Sequence, residues 1–152
     1  ARMCIGTSDE GLGRRMIDVL KTRGVDRGFV VHGEDGIDEI STAGPTRIHR
    51  LVGGEVTEAE FTPEDFGIGR SHVEDLAGGD ADQNMGILRD VLAGGRGPCR
   101  DAVVVNAAPA IVLSGIAEGF VDAVAAANES IDSGRARLAL DESLRLNQQA
   151  SN

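Results

Sequence analysis

"RMCIGTSDEGLGRRMIDVLKTRGVDRGFVVHG", residues 2–33, sets two apolar runs around a segment of helical period. The first run, "RMCIG", reads as a strand. Thr7 and Glu10 then have capping-box spacing, in which side chains three residues apart satisfy the free amides of a helix start. Leu12, Met16, Val19 and Leu20 follow at i, i+4, i+7 and i+8, the spacing that lines one helix face, and Gly24 supplies the stop. "GFVVHG" is too continuously apolar for a half-exposed strand and predicts one buried on both faces. Strand, helix and strand make a βαβ unit, whose crossover sets its two strands parallel. The expected class is α/β, and the loop after the second strand should open at the carboxyl edge of the sheet, where such folds bind ligands.

The rest of the chain fits that class. Residues 45–66 alternate around Arg47, Ile48 and His49 and contain Gly53 and Gly54, which predicts a hairpin or edge strands leading to a surface loop. Asp80 and Gln83 form a D-x-x-Q cap, Ile87, Leu88, Val91 and Leu92 a buried stripe, and Gly94 and Gly95 an end. Arg100 to Leu113 is apolar nearly all round and reads as a buried helix kinked by Pro109, although "AVVVN" alone would also suit a strand. Phe120, Val124 and Ile131 mark a further helix ending near Gly134. Ala136, Leu140 and Leu144 mark a last one, with "NQQASN" expected to fray.

A chain of 152 residues suits one α/β domain over 1–152. Its start with Ala and Arg inside a strand suggests a piece of something longer. With 3% aromatics and neither Trp nor Tyr, the core must be Ala, Val, Ile, Leu and the Phe residues. A net charge of −10 without a basic stripe argues against a nucleic-acid groove. Neither a membrane span nor a signal peptide is evident, so a cytoplasmic protein is expected. Cys4 and Cys99 lack metal-ligand spacing and read as buried free thiols.

Function points to "VVHGEDGIDEIS", residues 30–41, where Glu34, Asp35, Asp38 and Glu39 fall in the carboxyl-edge loop. Like charges this dense repel unless solvent or a cation offsets them, and Gly36 permits the tight turn that lets carboxylates converge. Mg²⁺ takes one or two protein carboxylates and fills its remaining positions with water and substrate phosphates. The spacing is not that of a calcium-binding EF-hand loop. On these residues alone a solvated acidic turn and a metal site both stand, the turn being the plainer reading. His32 is placed to face a ligand, whereas His49 and His72 lie in polar stretches and should be solvated. Asn84 and Asn106 fall on apolar helix faces, where an amide must find interhelical or helix-to-loop partners. "LAGGDADQN", residues 76–84, has glycines before a helix, but an acid in the cap would repel phosphate, so it reads as a plain helix start.

Several strings together resemble the anthranilate phosphoribosyltransferases of tryptophan biosynthesis: "VVHGEDGIDEIS", "PEDFGI" at 63–68, "LAGGDADQN", "VLAGGRGPCRDAVVVNAA" at 91–108 and "IDSGRA" at 131–136. They occur in that family's order and spacing over nearly the whole chain. Pro109 and Met85 depart from it, at packing positions.

The resemblance implies the nucleoside phosphorylase/phosphoribosyltransferase fold, with a mostly parallel sheet flanked by helices. It implies transfer of phosphoribosyl from phosphoribosyl pyrophosphate to anthranilate, giving N-(5-phosphoribosyl)anthranilate and pyrophosphate, with Mg²⁺ as cofactor. Asp38 and Glu39 match the family's Mg²⁺-binding pair, which leaves Glu34 and Asp35 as solvated turn residues. The family's glycine-rich phosphate loop and most of its helical dimerisation domain would lie upstream. This chain would then supply a second Mg²⁺ site, be inactive alone, and belong to a homodimer formed through the upstream part. A non-catalytic nucleic-acid-binding relative and a pyrimidine nucleoside phosphorylase are the alternatives within the fold.

Overall fold

The computed structural model describes residues 1–150. In chain order the elements are β1 (Arg2–Gly6), α1 (Glu10–Thr22), β2 (Arg27–Gly33), β3 (Thr46–Val52), β4 (Glu55–Phe61), α2 (Ala81–Leu92), α3 (Pro98–Ser114), α4 (Phe120–Asp132) and α5 (Arg135–Ala150). Short 3-10 turns at Pro63–Phe66 and Val73–Leu76 join β4 to α2.

The strands form one sheet in the order β1-β2-β3-β4. β1 and β2 pair in parallel, as the βαβ reading requires, but β2 with β3 and β3 with β4 pair antiparallel. The α/β class therefore holds, while the part of the sheet carried by these residues is mixed rather than mostly parallel. The reason is the connection after β2. It contains no crossover helix, so the chain turns back and lays β3 antiparallel beside β2. Gly53 and Gly54, both at positive φ (56° and 83°), then close a two-residue hairpin of the type that matches strand twist.

Strand alternation sends side chains to two cores. Val30 and Leu51 meet Ile17 and Leu20 of α1 on one face. Phe29, Val31 and Ile48 meet α3 and α4 on the other, with Val104, Val105, Ala108, Ala123, Val124 and Ile131. β2 is buried from Gly28 to Gly33 because helices cover both of its sides. The scarce aromatics gather in one place: Phe120 lies 5.6 Å from Phe29, 5.3 Å from Phe61 and 5.0 Å from Phe66, centroid to centroid. "PEDFGI" thus contributes Phe66 to this cluster.

Local expectations fare unevenly. The cap of α1 is Asp9, whose carboxylate accepts from the Gly11 N–H at 2.8 Å, rather than Thr7, whose hydroxyl accepts from the Asp9 N–H at 3.1 Å. The Asp80 and Gln83 box forms as read. "AVVVN" is helical, inside α3, and Pro109 is buried within that helix. In α2 Val91 is buried but Leu88 is exposed. α5 continues through residues 147–150, where fraying was expected, and residues 151–152 lie outside the described part. Both cysteines are free, yet Cys4 is exposed because β1 is an edge strand of this sheet.

A buried polar tie joins two of the strings that carry the resemblance. Arg100, 2% exposed at the start of α3, donates to Asn128 Oδ1 at 2.8 Å and pairs with Asp132 Oδ1 at 2.7 Å near the end of α4. A buried guanidinium needs such partners, and the pair locks α3 against α4.

Candidate functional site

The acidic loop leaves β2 at the end that lies beside the end of β1. Thr7 N–H donates to the Val31 carbonyl at 3.0 Å, and His32 Nδ1–H donates to the Thr7 carbonyl at 2.8 Å. His32 is therefore buried and ties the two strand ends together. The loop folds back on this edge: Gly36 N–H donates to the Gly33 carbonyl at 2.8 Å and Gly33 N–H to the Ile37 carbonyl at 2.9 Å. Gly36 has φ 87°, so it makes the tight turn for which its lack of a side chain suits it.

The four carboxylates have unequal surroundings. Glu34 accepts from Arg47 Nη2 at 3.0 Å, and the same guanidinium reaches Glu10 at the start of α1 at 2.6 Å. Asp35 accepts from the Ser41 hydroxyl at 2.7 Å, and Ser41 Oγ in turn accepts from the Ala43 and Gly44 amides, both at 3.0 Å. Glu34 and Asp35 are exposed turn residues, as expected, but each also holds a partner that staples the loop. The Asp38 and Glu39 side chains are exposed and have no hydrogen-bond or ion-pair partner among the described residues.

Their backbone is held tightly nonetheless. A Cβ on Gly6, at the end of β1, would stand 1.5 Å from the Asp38 carbonyl oxygen, so only glycine lets the loop sit there. Ile40 is 2% exposed and packs in the core beside α3. Asn106 of α3 takes both of its backbone groups: Oδ1 accepts from the Ile40 N–H at 2.7 Å, and Nδ2 donates to the Ile40 carbonyl at 3.0 Å. Further along, Ser41 N–H donates to Thr46 Oγ1 at 2.9 Å, and the Thr42 and Ser71 hydroxyls lie 2.6 Å apart.

This donor set fits Mg²⁺. Among the described residues no cluster of three or more His, Cys, Asp or Glu converges, which is unlike a structural zinc or calcium cage. Two adjacent, exposed and unpaired carboxylates on a fixed backbone suit an ion that takes its other ligands from water and substrate oxygens. A cavity of about 400 Å³ lies elsewhere, over Phe29, Phe61 and Phe120, and includes none of the four acids.

The other sequence candidates divide. His72 is exposed at the start of a 3-10 turn, as expected. His49 is instead buried between β3 and α1; a Cβ on Gly13 would be 2.6 Å from its Nε2. Its Nδ1 lies 3.2 Å from Glu58 Oε2 but off the hydrogen-bond direction. Burial pushes the imidazole below its usual range, against the opposing pull of Glu58. Asn84 is exposed and grips Gly79 rather than a helix face. Gly6 and Arg47 were not singled out beforehand. A glycine ending a strand is a weak signal for a close approach, and the partners of Arg47 have none.

The anthranilate phosphoribosyltransferase of Rubrobacter xylanophilus is 44% identical over 146 residues, covering 95% of this chain and 43% of that protein. The crystal structure of the Thermus thermophilus anthranilate phosphoribosyltransferase superposes with a TM-score of 0.81 at 33% identity, over 90% of this chain and 40% of that one. The Saccharomyces cerevisiae enzyme, solved in complex with PRPP and Mg, shares the fold with a TM-score of 0.82 at 23% identity, over 92% and 41%. The chain thus spans about two fifths of the length of the relatives it matches. No helix among the described residues is long and apolar enough to cross a membrane. The model of the glycosyl transferase family, a/b domain, matches residues 1–137, and the chain belongs to that family.

Proposed function

We propose that this chain is an α/β domain of an anthranilate phosphoribosyltransferase and that Asp38 and Glu39 hold Mg²⁺ against the pyrophosphate of the phosphoribosyl donor. The observation that carries the reading is the division within the acidic loop: Glu34 and Asp35 are committed to Arg47 and Ser41, whereas Asp38 and Glu39 are left unpaired on an immobilised backbone. The similarity to phosphoribosyltransferases, one of them solved with PRPP and Mg, supports the same assignment.

Bound there, Mg²⁺ supplies electrostatic stabilisation for the negative charge that grows on pyrophosphate as its bond to the ribose C1 breaks. Asp38 and Glu39 act by placing a charge, not by moving a proton. Arg47 offsets part of the charge of Glu34 and Glu10, which lowers the negative potential that an incoming pyrophosphate meets at this edge. Anthranilate is the incoming nucleophile, with its amine attacking C1, and its binding residues belong to the remainder of the enzyme, as does the surface that forms a homodimer. The setting is the cytoplasm.

A chimera tests this. The chain replaces the matching segment of the Rubrobacter xylanophilus relative, and consumption of anthranilate is followed by its fluorescence. The chimera should turn over, and Asp38→Asn with Glu39→Gln should lose most of that rate at limiting Mg²⁺. Full activity in the doubly substituted chimera would remove the assigned role.

A further inference from the structure

We propose that Asn106 is a positioning residue for Asp38 and Glu39, acting from α3 through the backbone of Ile40. This rests on the reading of that pair as a divalent-cation site. Three constraints meet on the backbone of residues 38–40. Gly6 lies so close beneath the Asp38 carbonyl that any Cβ would collide with it, and a Cβ on Gly33 would stand 3.3 Å from the Glu39 carbonyl oxygen. These two contacts exclude space. Asn106 attracts, and it does so directionally.

The Ile40 N–H belongs to the peptide plane that joins Glu39 to Ile40. Fixing that N–H on Asn106 Oδ1 fixes the plane, and with it one of the two torsions that aim the Glu39 side chain. The second bond, from Nδ2 to the Ile40 carbonyl, prevents the segment from rotating about the first. The amide is itself restrained, because Nδ2 also donates to the Ala102 carbonyl one turn back on α3, at 3.1 Å. Every polar contact of Asn106 is to backbone, so it holds the loop and does not ligate. The Ile40 side chain anchors the same residue in the core. Rigidity passes from the packed helix to the exposed carboxylates through one amide, which is how outer residues tune a metal site.

The test is a titration of the ¹⁵N-labelled chain with Mn²⁺, read as paramagnetic broadening of the amides at 38–40. Asn106→Ala should raise the Mn²⁺ concentration for half-broadening by roughly 10- to 100-fold. Val104→Ala truncates a fully buried side chain of the same helix and leaves every hydrogen bond to the loop in place. It should lower thermal stability yet leave that concentration within about twofold, as expected of an independent site. In the metal-free chain, Asn106→Ala should speed exchange of the Ile40 amide about 10-fold more than that of amides in β2. Should Asn106→Ala not fold, Asn106→Ser takes its place. It can satisfy the Ala102 carbonyl but cannot span both Ile40 groups, and the same weakening is expected.

A folded Asn106 variant with unaltered Mn²⁺ response, or an equal weakening in Val104→Ala, would overturn the proposal. If Asp38→Asn with Glu39→Gln abolishes the response while the Asn106 variants keep it, the metal reading stands and the positioning role falls. If the unaltered chain shows no broadening centred on 38–40, both fall.

Discussion

The loop at residues 77–80 and the loop at residues 34–41 are each gripped by a helix asparagine that takes both backbone groups of one residue. Asn84 Oδ1 accepts from the Gly79 N–H at 2.9 Å and Nδ2 donates to its carbonyl at 3.0 Å. Asn106 makes the same two bonds to Ile40 at 2.7 and 3.0 Å. The first grip spans 5 residues and is exposed, so water replaces it at little cost. The second spans 66 residues and is partly buried, so its loss leaves polar groups where water is scarce. One closes a helix start; the other fastens a pair of free carboxylates to the core. The bond geometry is shared, and the surroundings decide which becomes a site.

The glycines beneath the two loops should separate them most. In Gly6→Ala the new Cβ meets the Asp38 carbonyl oxygen at 1.5 Å and its carbon at 2.6 Å, both backbone atoms that cannot swing aside. We expect a loss of about 3 kcal/mol, the upper end for overpacking, together with the Mn²⁺ response. In Gly79→Ala the nearest atom is Gln83 Oε1 at 1.7 Å, the far end of a flexible side chain. There the loss should be about 0.5 kcal/mol. Urea unfolding of both variants measures the gap, and equal losses would erase the distinction. The asparagines should differ next, with Asn106→Ala costing about 2 kcal/mol and Asn84→Ala about 0.5. A reversed order would show that burial of the Ile40 grip contributes nothing.

Acid supplies the smallest effect and acts on neither loop. His49 holds its proton less tightly when folded than when unfolded, because burial outweighs Glu58 and because Arg14 and Arg47 oppose protonation, while Asp18 favours it. Between its folded value and the ordinary histidine range the unfolded chain binds more protons. Its contribution is therefore complete above that range and lost as pH falls through it. The urea midpoint should fall between pH 8 and pH 5, less steeply in His49→Gln, while Ile40 amide protection relative to β2 stays unchanged. An identical slope in His49→Gln would remove His49 as a cause.

Local pattern explains what could be read beforehand. The apolar run of β2, the Asp80 and Gln83 box and the stop at Gly24 lie within a few residues of their causes. The antiparallel course of β3 does not, since it depends on a connection that turns back instead of crossing over. His49 looked solvated because "RIHRL" alternates, but α1 covers that face and Gly13 leaves room for the ring. The acids looked equivalent because their partners, Arg47 for Glu34 and Ser41 for Asp35, are brought to them by the folded loop and strand rather than by spacing. Resemblance to the phosphoribosyltransferases, not spacing, singled out Asp38 and Glu39.

That distinction among the four acids is the central claim, and Mn²⁺ titration of two double variants tests it most directly. Asp38→Asn with Glu39→Gln should abolish amide broadening at residues 38–40, whereas Glu34→Gln with Asp35→Asn should retain it. Retention in the first variant, or equal loss in both, would contradict the account.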